Sequence, residues 1–205
     1  MLNIYLARHG QNKDNANGIL NGHRDLPLTN KGVAQAEEVA AEIAAAKMSF
    51  SHIYASPLSR AFRTAEIISK GINGPKPEVE PLLIERDFGV MTGKETARIA
   101  ELCAPEIIQA DPITYFLSPE GAETFPDLVA RAERLLAKIQ HIHKDGSILL
   151  VTHGDFGKMV YAAYYNLPWR DVLLQFHFGN SELILLSTES PPDEAHVFHI
   201  EQHNH

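Results

Sequence analysis

Two short apolar runs in this 205-residue chain each end in a His-Gly pair. Residues 2–7 lead into Arg8-His9-Gly10, and residues 147–151 lead through Thr152 into His153-Gly154. Compact, near-continuous apolar runs read as strands buried on both faces, the habit of a parallel sheet covered by helices. Further strands are predicted at 50–55, near 78–83, and at 172–178, 181–187 and 195–200, with Gly179-Asn180 as a hairpin turn. Helical patterns fall at 30–47, 57–70, 92–103, 105–116, 122–143 and 155–166. Thr29 or Asn30 can cap the first of these, and Pro57 suits the opening of the second. The alternation predicts an α/β fold, a three-layer α/β/α sandwich with a mostly parallel central sheet. Residues 1–205 read as one domain. Pro105, Pro112 and Pro119 break up the stretch at about 92–121, which reads as a lid-like helical insertion. In such sheets ligands bind beyond the C-terminal strand ends, where both His-Gly pairs fall.

Composition narrows the partners. A formal net charge of −8 argues against nucleic acid, which calls for basic surface. No apolar stretch approaches the ~20 residues of a membrane span, and no secretory leader pattern opens the chain. The single cysteine, Cys103, excludes an internal disulfide and reads as a small core residue. A cytoplasmic protein is the expectation. The strands near 172–200 offer an edge for a possible homodimer.

Four places carry candidate chemistry. Arg8-His9 combines an anion clamp with a nucleophile or base on a loop opened by Gly10. Arg60 falls in the first turn of a helix, where a cation opposes the helix dipole. That mismatch points to an anion, against the plain alternative of a solvated arginine. Glu85, at a strand–loop junction, suits a general acid or base, against the alternative of an ordinary surface loop. His153-Gly154 precedes a helix whose N–H groups favour phosphate. The segment Gly89–Thr96 only superficially suggests a nucleotide-binding loop: its spacing is one residue short, and Glu95 follows Lys94. Among the eleven histidines, His196, His199, His203 and His205 read as a polar tail rather than a metal centre.

Taken together these segments resemble the histidine phosphatase superfamily, also called the phosphoglycerate-mutase-like family. The resemblance rests on Arg8-His9-Gly10, Asn15, residues 21–29, residues 56–61, residues 85–89 and residues 151–154, in the family's order. It implies a two-step phosphoryl transfer without a metal or other cofactor. His9 would attack phosphorus and become a phosphohistidine. Arg8, Arg60 and His153 would hold the phosphoryl oxygens. Glu85 would protonate the leaving oxygen and then activate water. Asn15 and the backbone at Asn21-Gly22 would line the phosphate pocket together with Gly154, and Arg86 could take a second anionic group.

The chain also departs from the family pattern. Gln11-Asn12 stand where Glu-Thr is common, Asn21 where Gln is common, and Asp155 where mutases carry Asn. Residues 95–121 contain a single cation, Arg98. A site that retains a doubly charged intermediate needs more positive charge. The expected activity is therefore hydrolysis of a small phosphorylated metabolite. The alternatives are a phosphoglycerate mutase and a non-catalytic phosphate-ligand sensor.

Overall fold

The computed structural model of the chain describes residues 1–198. Its elements run β1 (Leu2–Arg8), α1 (Lys13–Ala16), α2 (Asn30–Ala45), β2 (His52–Ala55), α3 (Ser59–Gly71) and β3 (Glu78–Val79). Then follow α4 (Ile99–Cys103), β4 (Ile107–Ala110), β5 (Ile113–Phe116), α5 (Phe125–Ile142), β6 (Gly146–Thr152), α6 (Gly154–Tyr165), α7 (Trp169–Gln175) and β7 (Leu183–Leu186). The central sheet has the order β3-β2-β6-β1-β7. Its first four strands are parallel, and β7 runs antiparallel along β1.

The uniform apolarity of β1 and β6 follows from burial on both faces. Ile4, Leu6, Ile148 and Leu150 face the core built with α5 and α6. Their neighbours Ala7, Leu149 and Val151 face a second core with α2 and α3. The helices supply matching stripes: Ala36, Val39, Ala40 and Ile43 on α2, and Leu128, Ala132, Leu135 and Ile139 on α5, all buried at spacings of three and four. Thr29 caps α2 by accepting from the Gly32 amide at 3.1 Å. Thr124 caps α5 in the same way at 3.3 Å from the Asp127 amide.

Four expectations need correction. Residues 105–116 form no helix but the antiparallel hairpin β4–β5. Pro105 and Pro112 forbid continuous helix, and Ile107, Ile108, Ile113, Tyr115 and Phe116 favour strands. The insertion is thus helical only around α4 and the 3-10 turn at Thr96–Arg98. Residues 172–178 are not a strand, because α7 occupies Trp169–Gln175. Its Leu-rich sequence follows Pro168, and Trp169 stacks on Phe125 with ring centroids 5.2 Å apart. Gly179-Asn180 therefore joins no hairpin. Instead the Ser181 amide bonds the Arg8 and His9 carbonyls. The strand expected at 195–200 is reduced to one bridge, His196 to Ile184. Residues 199 and 200 lie outside the described residues, as do His199, His203 and His205.

Candidate active site

Register brings the site together. Arg8 pairs with Thr152 across β1 and β6, and Ala55 pairs with Val151 across β2 and β6. The residues that follow, His9, His153 and Ser56, therefore emerge side by side from the C-terminal edge of the sheet. The His9 and His153 rings lie 5.0 Å apart at 62°. Behind them Gly10 and Gly32 cross so closely that a Cβ on Gly10 would lie 2.2 Å from the Gly32 carbonyl oxygen. Only glycine permits that approach.

The chemistry of His9 is set by its partners. Nδ1 lies 2.7 Å from the Gly10 carbonyl oxygen. A carbonyl only accepts, so Nδ1 carries the proton and Nε2 presents its lone pair. Arg60 Nε reaches that Nε2 at 3.2 Å. Burial, then the charges of Arg60 and Arg8, hold the His9 imidazole well below its ordinary pKa, so the ring is neutral. Arg60 itself is fully buried and anchored by Nη1 on the Arg24 carbonyl (2.7 Å) and Nη2 on the Gly22 carbonyl (3.0 Å). Burial lowers its pKa to about 10, which leaves it charged at neutral pH. Gly22 thus serves as an acceptor that aims Arg60.

Among the described residues, two ring or guanidinium donors near His9 are buried without a partner. One is Arg8 Nε, whose guanidinium is anchored by Nη1 on the Phe178 carbonyl at 2.7 Å. The other is His153 Nδ1. Its Nε2 sits 2.7 Å from Ser56 Oγ, which also accepts from the Leu58 amide. A serine hydroxyl that donates to Nε2 leaves Nδ1 as the N–H. Native proteins rarely leave buried donors unpaired without a functional reason. Here the orphans flank the neutral His9 ring, an arrangement suited to an oxyanion.

Glu85 closes the other side. Its Oε1 accepts from the Arg86 amide (2.9 Å) and the Phe156 amide (3.0 Å). Oε2 has no partner among the described residues. Burial and the neighbouring Asp155 charge raise its pKa against those two hydrogen bonds, which favours the protonated acid. Arg131, which sequence reasoning missed, fixes this junction through the carbonyls of Leu82 (2.7 Å), Ile84 (2.6 Å) and Glu85 (3.2 Å). It lies on α5, 46 residues away in sequence, and nothing local to Arg131 announces the contact.

A cavity of about 400 Å³ opens over these groups. It is lined by Arg8, His9, Asn15, Asn21, Arg60, Glu85, Arg86, Gly154, Asp155 and Lys158, and by apolar residues including Ile19, Leu20, Phe88, Ile99, Ile113 and Phe116. Asn15 and Asn21 both hydrogen-bond to the fully buried Asn12: its amide donates to Asn15 Oδ1 at 3.3 Å, and its Nδ2 donates to Asn21 Oδ1 at 2.6 Å. Gly154 packs against the Arg8 guanidinium, where a Cβ would lie 3.4 Å from Cζ. Arg86 borders the cavity, but its donors go to the carbonyls of Glu123, Phe116 and Leu117 and to Asp155. It ties the β4–β5 hairpin to the body of the fold. His196 belongs elsewhere, 2.6 Å from Glu182 and stacked on Phe176.

A mostly parallel α/β sheet with a neutral histidine among cationic and N–H donors at its C-terminal edge is suited to phosphoryl transfer. The histidine phosphatase superfamily (branch 1) matches residues 4–197, and the chain belongs to it. A 2,3-bisphosphoglycerate-dependent phosphoglycerate mutase of Azorhizobium caulinodans is 34% identical over 130 residues, 62% of this chain and 63% of that protein. A mycobacterial glucosyl-3-phosphoglycerate phosphatase superposes with a TM-score of 0.76 at 26% identity, over 90% of this chain and 92% of that one. A phosphoserine phosphatase of Entamoeba histolytica, solved with 3-phosphoglyceric acid, gives 0.76 at 25% identity over 90% of each chain. The superfamily and these relatives are enzymes, both phosphatases and phosphoglycerate mutases. No helix among the described residues is long and apolar enough to cross a membrane.

Proposed function

We propose that the chain hydrolyses small phosphomonoesters through a phosphohistidine at His9. Nε2 of His9 attacks phosphorus in line with the ester oxygen. Arg8, Arg60 and His153 hold the three equatorial oxygens as charge develops on them. Glu85 Oε2 gives its proton to the departing alkoxide. As a carboxylate it then takes a proton from water, which attacks the phosphohistidine and releases phosphate.

One observation favours hydrolysis over mutase chemistry. The face of the cavity supplied by residues 96–116 carries no cation. The lone arginine there, Arg98, is paired with Glu101 at 2.8 Å and does not line the cavity. A bisphosphorylated intermediate would face an apolar wall and would escape. Water is then the acceptor left to the phosphohistidine. The named activities of the mutase relatives support the second reading, transfer between hydroxyls of phosphoglycerate.

The test is phosphate release from a panel of phosphomonoesters, with 3-phosphoglycerate isomerisation followed separately. Hydrolysis that is lost in His9→Ala, with acid-labile label trapped on the wild type alone, is the expected result. Isomerisation that depends on a bisphosphate primer would reverse the assignment to mutase. Binding without labelling would make the chain a sensor.

A further inference from the structure

The far wall of the cavity holds a cation that the chemistry at His9 does not use. Lys158 lies on α6, one turn beyond Gly154, and is only 4% exposed. Among the described residues its ammonium makes one hydrogen bond, to Tyr115 Oη at 2.5 Å, and no ion pair, although the charges of Asp155 and Glu182 act on it from farther off. Two of its three N–H donors are thus unfilled. Burying an ammonium is unfavourable unless other groups satisfy it. A leucine would serve the helix face better if packing were the purpose.

We propose that Lys158, steadied by Tyr115, is a specificity residue that binds a carboxylate on the leaving-group side of the substrate. The inference rests on the phosphomonoesterase reading above and names its substrate class. A carboxylate fits better than a second phosphate for three reasons. Two open N–H donors match one carboxylate. The remaining cation on this wall, Arg86, is already bonded to three carbonyls and Asp155. The Asp155 carboxylate also lines the cavity and would repel a dianion. Tyr115 ties the subsite to the β4–β5 hairpin, so the same contact seats the hairpin over the bound molecule.

The experiment compares substrates that differ by the carboxylate: O-phosphoserine with phosphoethanolamine, and 3-phosphoglycerate with glycerol phosphate. The wild type should prefer the carboxylate-bearing member of each pair by about tenfold or more in kcat/KM. Lys158→Met should bring each ratio close to one, through KM. Tyr115→Phe should reduce the ratios in part, and Lys158→Arg should restore them in part. Ratios that survive Lys158→Met, or both members of a pair falling together, would overturn the proposal and leave Lys158 a packing residue. Binding of 3-phosphoglycerate against glycerol phosphate to the His9→Ala protein reads the same preference without turnover. Loss of all hydrolysis with that binding preference intact would sink the phosphatase reading but not the carboxylate subsite.

Discussion

At the scale of single residues, the site depends on groups held in the uncharged state. Burial, Asp155 and the native hydrogen bonds act on Glu85, and the net effect raises its pKa. In the unfolded chain it would ionise near the ordinary value of about 4.3. Between that value and the raised native one, the unfolded state loses its proton and the folded state keeps it. Stability therefore falls as pH rises through that window. Glu85→Gln should show a smaller drop in melting temperature between pH 5 and pH 9. The same variant should slow hydrolysis of an alkyl phosphate by about 10²–10⁴-fold. In kcat/KM, which reports transfer to His9 and not the water step, it should slow p-nitrophenyl phosphate far less, since that leaving group needs no proton. Equal losses on both substrates would remove Glu85 from the role of acid. His9 and His153 have the opposite sign. Burial and the nearby arginines hold both below the ordinary value. Their contribution is present above about pH 6.5 and is lost as pH falls toward their native values. His153→Gln should flatten the decline in melting temperature between pH 7 and pH 5.

At the scale of elements, small contacts decide whether a helix and a loop meet at all. A Cβ on Gly32 would lie 2.0 Å from the Gln11 carbonyl oxygen, a backbone atom with no rotamer to yield. Gly32→Ala must therefore push α2 away from the His9 loop. The expected cost is about 1–3 kcal/mol, read by denaturant melts, with kcat reduced because Gly10 no longer holds Nδ1 of His9 in place. Arg131 acts through α5 in a comparable way. Arg131→Lys keeps a charge but loses the planar fork that reaches three carbonyls, so kcat should fall with KM little changed. A fall in KM and kcat alike, tracking a lower melting temperature, would mark a purely structural role.

At the scale of the whole molecule, the proposed phosphate-binding groups, Arg8, Arg60 and His153, stand at the ends of the adjacent strands β1 and β6 and on the helix that follows β2. An anion bound among them ties together the centre of the sheet. Inorganic phosphate should raise the melting temperature by mass action, about 2.7 kcal/mol at a hundredfold excess over its dissociation constant. Arg60→Met should abolish most of that shift. The same architecture explains what was legible in the sequence. Strands β1 and β6 announced themselves because burial on both faces makes them continuously apolar, and each delivers a histidine at a fixed offset from its last residue. The first-turn position of Arg60 was legible as an electrostatic mismatch. The β4–β5 hairpin was not, because Ile-Ile and Tyr-Phe pairs between prolines suit either a short helix or a strand until a partner is known. Nor was Lys158, whose meaning depends on Tyr115, 43 residues earlier and on a different element. Arg86 reads in the sequence as a cation for a second anionic group and not as a clamp, since its acceptors are mostly carbonyls, which the sequence does not distinguish.

Strand β1 lies between β6 and β7, with Leu2 opposite Gly146 and Ala7 opposite Leu183. During synthesis β1, which delivers His9, emerges from the ribosome well before β6 and β7, the two strands that flank it. At about 5–20 residues per second, β1 waits roughly 7 to 28 seconds for β6 with its edges open and its apolar side chains exposed. The polypeptide can condense α2, β2 and α3 early, but the candidate site can close only once β6 and β7 have emerged. Newly made chains should thus remain inactive and susceptible to protease until β6 and β7 are released, and a ribosome stalled before residue 146 should carry no phosphate-binding site at all.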